Sequence, residues 1–207
     1  VILIVRHSHR ETIDNLDQMM EMGLTPLGHR MAVEFGRRLP VGREVEILYS
    51  FVPRCQETAE AMAEGIRQSK GTVSLIEPSF LLVGPRVDQS VWHEIGGEGG
   101  MIMGFTRDWV RGKYDKDRIE PFPEFRERLI DGTVGRITGK RENVLHVHVT
   151  HDNVMASSRP IFLGESALDG ARPQYLGGFG IAVSERDMTF FDNGIEHRLP
   201  LPKHSGD

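Results

Sequence analysis

The chain opens on an unbroken aliphatic run, Val1-Ile2-Leu3-Ile4-Val5, followed at once by Arg6-His7-Ser8-His9-Arg10. Such a run predicts a buried strand over residues 1–5. Residues 45–50, 73–76 and 143–150 give the same reading. Between them the pattern turns helical. Leu24-Thr25-Pro26-Leu27-Gly28 predicts a helix start, with Thr25 as N-cap and Pro26 at the first helical position. Met31, Phe35 and Leu39 mark its apolar face, and Pro40 stops it. Pro53 opens a second helix, with Ala59, Met62, Ala63 and Ile66 on one face. Pro121 starts another that runs through Phe125 and Leu129, and residues 153–163 predict a last one. Residues 179–183 and 188–191 predict a closing hairpin around Arg186-Asp187. The alternation predicts an α/β fold, a three-layer α/β/α sandwich with a mostly parallel central sheet.

At 207 residues, a single domain is expected. Residues 84–120 break the rhythm. They hold Gly96-Gly97, Gly99-Gly100, both tryptophans (Trp92 and Trp109), Arg86, Arg107, Arg111 and Lys113. An insertion or lid is expected there, with a helix near 101–111. Its cations and indoles could contact a second phosphate, a sugar or a base, or form a solvated helix face over buried indoles.

The net charge of −5 does not point to nucleic acid, so a small-molecule substrate is the expected partner. No apolar stretch approaches a membrane span, so no membrane partner is expected. Oligomeric state is not legible. Cys55 is the only cysteine, which excludes an intrachain disulfide framework and fits a reducing, cytoplasmic location. The chain opens on Val1 and not on methionine, which leaves room for a segment upstream.

Three strand ends collect the unusual side chains: Arg6, His7 and Arg10 after the first, Ser50 to Arg54 after the second, and Thr150-His151-Asp152 after the fourth. Parallel strands would bring all three to one sheet edge, where open α/β sheets place their ligand crevices. An imidazole among arginines suits attack on a phosphoryl group. The guanidinium groups bind its oxygens and disfavour protonation of the imidazole. Arg54 near a helix N-terminus is a cation in a place that favours anions, which itself suggests a bound anion.

Arg6-His7, the Leu24-Thr25-Pro26-Leu27-Gly28 helix start, Pro53-Arg54-Cys55-Gln56-Glu57-Thr58-Ala59 and the late His151-Asp152 together resemble the histidine phosphatase superfamily. That group contains the cofactor-dependent phosphoglycerate mutases and the histidine acid phosphatases. Arg10, three residues after His7, and the His151-Asp152 pair lean toward the acid phosphatase branch. Two positions depart from the pattern: Ser8 stands where glycine is usual, and Thr12 where proline is usual. The chain is also short for an acid phosphatase, so no large cap domain is expected.

The resemblance implies a metal-independent phosphomonoesterase of phosphoglycerate mutase-like fold, with no cofactor. His7 would be the nucleophile that forms a phosphohistidine. Arg6, Arg10 and Arg54 would bind the phosphate, joined by His151 if protonated. Asp152 would be the proton donor, with Glu94 as the alternative acid and Glu98 a weaker one. Asp152 could instead be only an N-cap. Cys55 is expected to be a buried thiol beside the site, and Thr25 only a cap. A phosphomutase of the same fold and a non-catalytic phosphate-binding module remain alternatives. So does a metal-dependent hydrolase, because His146-x-His148-x-x-His151 resembles the ligand run of metallo-β-lactamase-like enzymes. Against it, Thr150 stands where that run has aspartate, and His197 and His204 are expected to lie in a frayed tail. His146 and His148 are expected to be packed or hydrogen-bonded on the strand face.

Overall fold

In the computed structural model, residues 1–12, 18–88, 90–91, 100–137 and 143–202 are described. Seven strands form one sheet: β1 (Ile2–Arg6), β2 (Glu44–Tyr49), β3 (Thr72–Pro78), β4 (Val144–Thr150), β5 (Gly178–Val183), β6 (Asp187–Asp192) and β7 (Ile195–Pro200). Their order is β3-β2-β4-β1-β5-β6-β7. The first four are mutually parallel, and β5, β6 and β7 continue the sheet antiparallel. Among the described residues five α-helices flank it: α1 (Pro26–Arg37), α2 (Pro53–Gln68), α3 (Gly100–Val110), α4 (Phe122–Ile130) and α5 (Asp152–Leu163).

The period of two along each strand divides the core. Val5, Leu145, Val147 and Val149 face α1 and α2. Ile2 and Ile4 face the other layer, where they join Phe105, Trp109, Phe125, Leu129, Val154 and Met155 of α3, α4 and α5. The result is the expected three-layer α/β/α arrangement. Within residues 84–120, Val91, Phe105, Trp109 and Ile119 pack into that second layer. Val87 bridges Ile119, Trp109 is buried, and its indole N–H donates to the carbonyl of Glu120 at 2.7 Å. Arg86 and Arg128 pair with the buried Glu120 carboxylate, and Lys113 pairs with Asp108. These two cations of the segment, Arg86 and Lys113, are thus engaged by carboxylates. Trp92 lies outside the described residues.

Two expectations are corrected. The inward face of α1 is wider than Met31, Phe35 and Leu39: Phe35 and Leu39 pack half-buried against the core, but the fully buried positions are the small-residue stripe Gly28, Ala32 and Gly36. Small residues let α1 and α2 approach closely. A Cβ on Gly36 would collide with the Met62 carbonyl oxygen, and one on Gly65 with the Val33 carbonyl oxygen. Glycine to alanine inside an exposed helix normally stabilises by up to about 1 kcal/mol. Here the sign reverses: Gly36→Ala is expected to destabilise by about 1–3 kcal/mol in denaturant unfolding, the usual cost of overpacking. The second correction concerns the tail. His197 lies on β7, opposite Phe190, and not in a frayed end. β7 is an edge strand whose exposed Ile195, Glu196 and Leu199-flanking polar positions gave too little apolar signal. His204 lies outside the described residues.

Candidate active site

The parallel register aligns the strand ends as expected: Arg6 pairs with Thr150, and Tyr49 with Val149. The backbone N–H of His7 donates to the Thr150 carbonyl at 2.8 Å, which ties the β1 end to β4. Ser8 is completely buried. Its N–H donates to Thr58 Oγ1 at 2.9 Å and its hydroxyl to the Gly28 carbonyl at 2.7 Å. The serine in the usual glycine position therefore adds an anchor to the start of α1. Gly28 in turn sits where any Cβ would strike the His9 backbone. Thr25 is more than a cap: Oγ1 accepts from Gly28 N at 3.0 Å and also lies 2.8 Å from His9 Nδ1.

His7 is buried, and its Nδ1 lies 2.8 Å from the Ser8 carbonyl oxygen. A carbonyl can only accept, so Nδ1 carries the proton and Nε2 keeps its lone pair. Burial, then His151 and Arg54, push the His7 pKa well below the usual histidine value, so the imidazole is neutral at pH 7. Its ring lies 5.5 Å from that of His151 and 5.7 Å from that of Tyr175.

Arg6, Arg10 and Arg54 are exposed by only 5, 7 and 6%. Arg54, at the second position of α2, donates from Nη1 to the Met19 carbonyl (2.5 Å) and from Nη2 to His151 Nδ1 (3.2 Å). Burial, which disfavours the charged form, lowers its pKa to about 10, so it still stays charged at pH 7. Arg10 bonds the Glu11 carbonyl at 2.6 Å, and its charge reaches Arg6, Arg54 and His151. The Nε atoms of Arg6 and Arg54 are buried and make no hydrogen bond among the described residues.

His151 accepts from Arg54 at Nδ1, so its Nε2–H faces Ser50 Oγ at 2.8 Å. Burial and the Arg54 charge hold it well below the ordinary histidine pKa. The condition attached to its donor role, protonation, is therefore not met in this arrangement. Cys55 is the expected buried thiol, 3.6 Å from His151 Nε2, with burial pushing its pKa up to about 12.

Asp152 lies in an ion-pair cluster. Arg172 approaches its Oδ2 at 2.7 Å (Nε) and 2.5 Å (Nη2), and Arg6 Nη2 lies 3.3 Å away. Burial alone would raise its pKa, but Arg6 and Arg172 outweigh burial and hold the carboxyl below its ordinary value. Arg6 and Arg172 thus favour the ionised carboxyl, the opposite of what a proton donor needs. The alternative acid, Glu94, and Glu98 both lie outside the described residues.

The metal-ligand pattern disperses. His148 is completely buried, and neither ring nitrogen has a hydrogen-bond partner among the described residues. Burial, aided by His146 and Arg136, lowers its pKa to about 3. His146 lies 3.2 Å from Glu46. Among the described residues no group of three or more His, Cys, Asp or Glu side chains could hold a metal.

Sequence reasoning missed residues 172–175. Pro173 O accepts from Arg6 Nη1 at 2.8 Å, and the Tyr175 ring lies under the Arg6 guanidinium at 4.3 Å. The available signal was Arg172-Pro173-Gln174-Tyr175 just before Gly177-Gly178 and a strand, a cation and an aromatic on a loop.

The sequence matches the family model of the histidine phosphatase superfamily (branch 1) over residues 2–175. The lean toward the acid phosphatase branch draws no support from this match. No curated protein sequence matches. Among solved structures, the fold is similar to a mycobacterial glucosyl-3-phosphoglycerate phosphatase in complex with inorganic phosphate (TM-score 0.59, 13% identity, 87% of this chain and 88% of that chain). It is also similar to Bacillus stearothermophilus YhfR (TM-score 0.57, 21% identity, 95% of each chain). A phosphoglycerate mutase from Bacillus anthracis aligns with TM-score 0.56 at 14% identity, over 96% of this chain and 91% of that one.

Proposed function

The chain belongs to the histidine phosphatase superfamily, and from that premise we propose that it hydrolyses a small phosphomonoester through a phosphohistidine on His7. One observation carries the reading. A neutral imidazole with its lone pair on Nε2 stands among buried guanidinium groups, and the Nε atoms of Arg6 and Arg54 have no hydrogen-bond partner among the described residues. Arg6, Arg10 and Arg54 outnumber the one carboxylate the structure places against them, Asp152, and an excess of buried positive charge is costly, so this site suits a doubly charged phosphate.

In the first step His7 Nε2 attacks phosphorus, the bond from phosphorus to the leaving oxygen breaks, and that oxygen takes a proton. The Ser8 carbonyl, accepting from Nδ1–H, stabilises the positive charge that forms on the ring. Arg6, Arg10 and Arg54 stabilise the transferring oxygens. Water then attacks phosphorus and gives a proton to the carboxylate that donated in the first step, the bond to Nε2 breaks with its electron pair returning to the ring, and inorganic phosphate leaves. Because Asp152 is held ionised, Glu94 becomes the candidate donor in the first step. Glu94→Gln is then expected to slow a phenyl ester more than a p-nitrophenyl ester.

The deciding experiment incubates the protein with p-nitrophenyl phosphate, with and without chelator. Acid-labile, base-stable labelling of the enzyme and turnover indifferent to chelator support the reading. Turnover that chelator abolishes without any label favours a metal-dependent hydrolase, and phosphate binding without turnover favours a binding module. Return of the phosphoryl group to a second hydroxyl, in place of inorganic phosphate, marks a mutase. Arg54→Ala should lower kcat by roughly 100- to 1000-fold, the usual loss for one preorganised donor. An Arg54→Ala variant with wild-type kcat would remove that residue from the site.

A further inference from the structure

We propose that Arg172 is a positioning residue of the phosphate site, clamping the Asp152 carboxylate against Arg6 and so fixing the guanidinium that meets the phosphoryl oxygens. This rests on the phosphatase reading and assigns a residue that the reading leaves out. Arg172 Nε and Nη2 both bond Asp152 Oδ2, at 2.7 and 2.5 Å, and the same oxygen lies 3.3 Å from Arg6 Nη2. The other oxygen, Oδ1, accepts from the Asn153 backbone at 3.1 Å. Asp152 is the first residue of α5, where a carboxylate also favours the positive helix end. Both oxygens are therefore committed.

The segment that carries Arg172 grips Arg6 on its other sides. Pro173 O accepts from Nη1 at 2.8 Å, and Tyr175 lies under the guanidinium plane at 4.3 Å. The Arg6 N–H donates to Gly177 O (3.0 Å), and Leu176 N–H donates to Arg6 O (3.2 Å). With Nη1 on Pro173 and Nη2 on Asp152, Nε is the Arg6 donor left without a partner among the described residues.

Charge explains why a second arginine is needed. Asp152 beside Arg6 alone would cancel the charge that a phosphate dianion must feel. Arg172 on the same oxygen leaves the trio net positive. Its side chain is about one-third exposed, so its replacement does not open the core. Removing it should weaken phosphate binding twice over: Arg6 loses its brace, and the Asp152 charge stands uncompensated.

The test titrates inorganic phosphate calorimetrically and measures kcat/KM for p-nitrophenyl and phenyl phosphate. Arg172→Gln is expected to lose about tenfold in phosphate affinity, the scale of one charge-assisted interaction. The same factor should appear in kcat/KM for both esters. Arg172→Lys should recover part of it. So should Arg172→Gln combined with Asp152→Asn, which removes the uncompensated charge. Wild-type phosphate affinity in Arg172→Gln would overturn the proposal. So would Asp152→Asn slowing the phenyl ester far more than the p-nitrophenyl ester, since Asp152 would then be a proton donor. If the wild-type protein never forms a phosphohistidine, the catalytic reading falls, while the phosphate titration still decides the clamp.

Discussion

Replacing His7 with glutamine is expected to abolish labelling by aryl phosphate and to lower turnover by roughly four orders of magnitude or more. The size follows from what is removed. The arginines can still bind phosphate, but among the described residues no other side chain offers a lone pair in the place of Nε2. The His151 imidazole lies 5.5 Å away between ring centres. Its Nδ1 is occupied by Arg54 and its Nε2 by Ser50. Phosphate affinity should persist in His7→Gln, because the guanidinium groups remain. Loss of turnover with retained phosphate binding is therefore the expected pair of results. Retained turnover would move the nucleophile elsewhere and end the phosphohistidine mechanism. The low His7 pKa adds a pH signature: protonation of the nucleophile should not limit kcat/KM until well below pH 6.5.

Acid should weaken the fold before any carboxylate titrates. His148 is neutral in the fold, with a pKa of about 3, while in the unfolded chain it takes a proton near pH 6.5. Its contribution is complete above pH 6.5 and declines as pH falls toward 3, because the unfolded state then binds the extra proton. Between pH 6.5 and 5 this one residue should lower stability by about 2 kcal/mol, at about 1.4 kcal/mol per pH unit. His7 and His151, also buried with lowered pKa values, act in the same direction. Ordinary carboxylates titrate below this window, so histidine dominates it. Urea unfolding at pH 7.5 and 5.0 checks the sign and the size. His148→Leu should reduce the difference between the two pH values by about 2 kcal/mol and cost little at pH 7.5, since neither ring nitrogen has a partner to lose among the described residues. An equal pH dependence in His148→Leu would refute this account.

Local pattern determined much of this protein. Apolar-rich runs marked β1 to β4: β1 is apolar from Ile2 to Val5 because it is covered on both faces, while β2 and β4 keep enough Val, Ile and Leu to read as strands despite Glu46, His146 and His148. Thr25-Pro26 and Pro53 marked the starts of α1 and α2, because capping and proline geometry are decided within one turn. The approach of His7, Arg54 and His151 to one sheet edge also followed from the sequence, since parallel strands must end together. Other features depended on contacts between distant segments. The small-residue face of α1 is set by how closely α2 packs, which no periodicity records. β7 pairs only at the sheet edge, so its polar sequence carried little signal. Asp152 read as a free acid because its neighbour Arg172 is twenty residues away in sequence. That neighbour arrives because β5 runs antiparallel to β1, which makes the segment entering β5 emerge where β1 ends. Strand direction is a property of the assembled sheet, and the charge state of a carboxyl depends on what that assembly puts beside it.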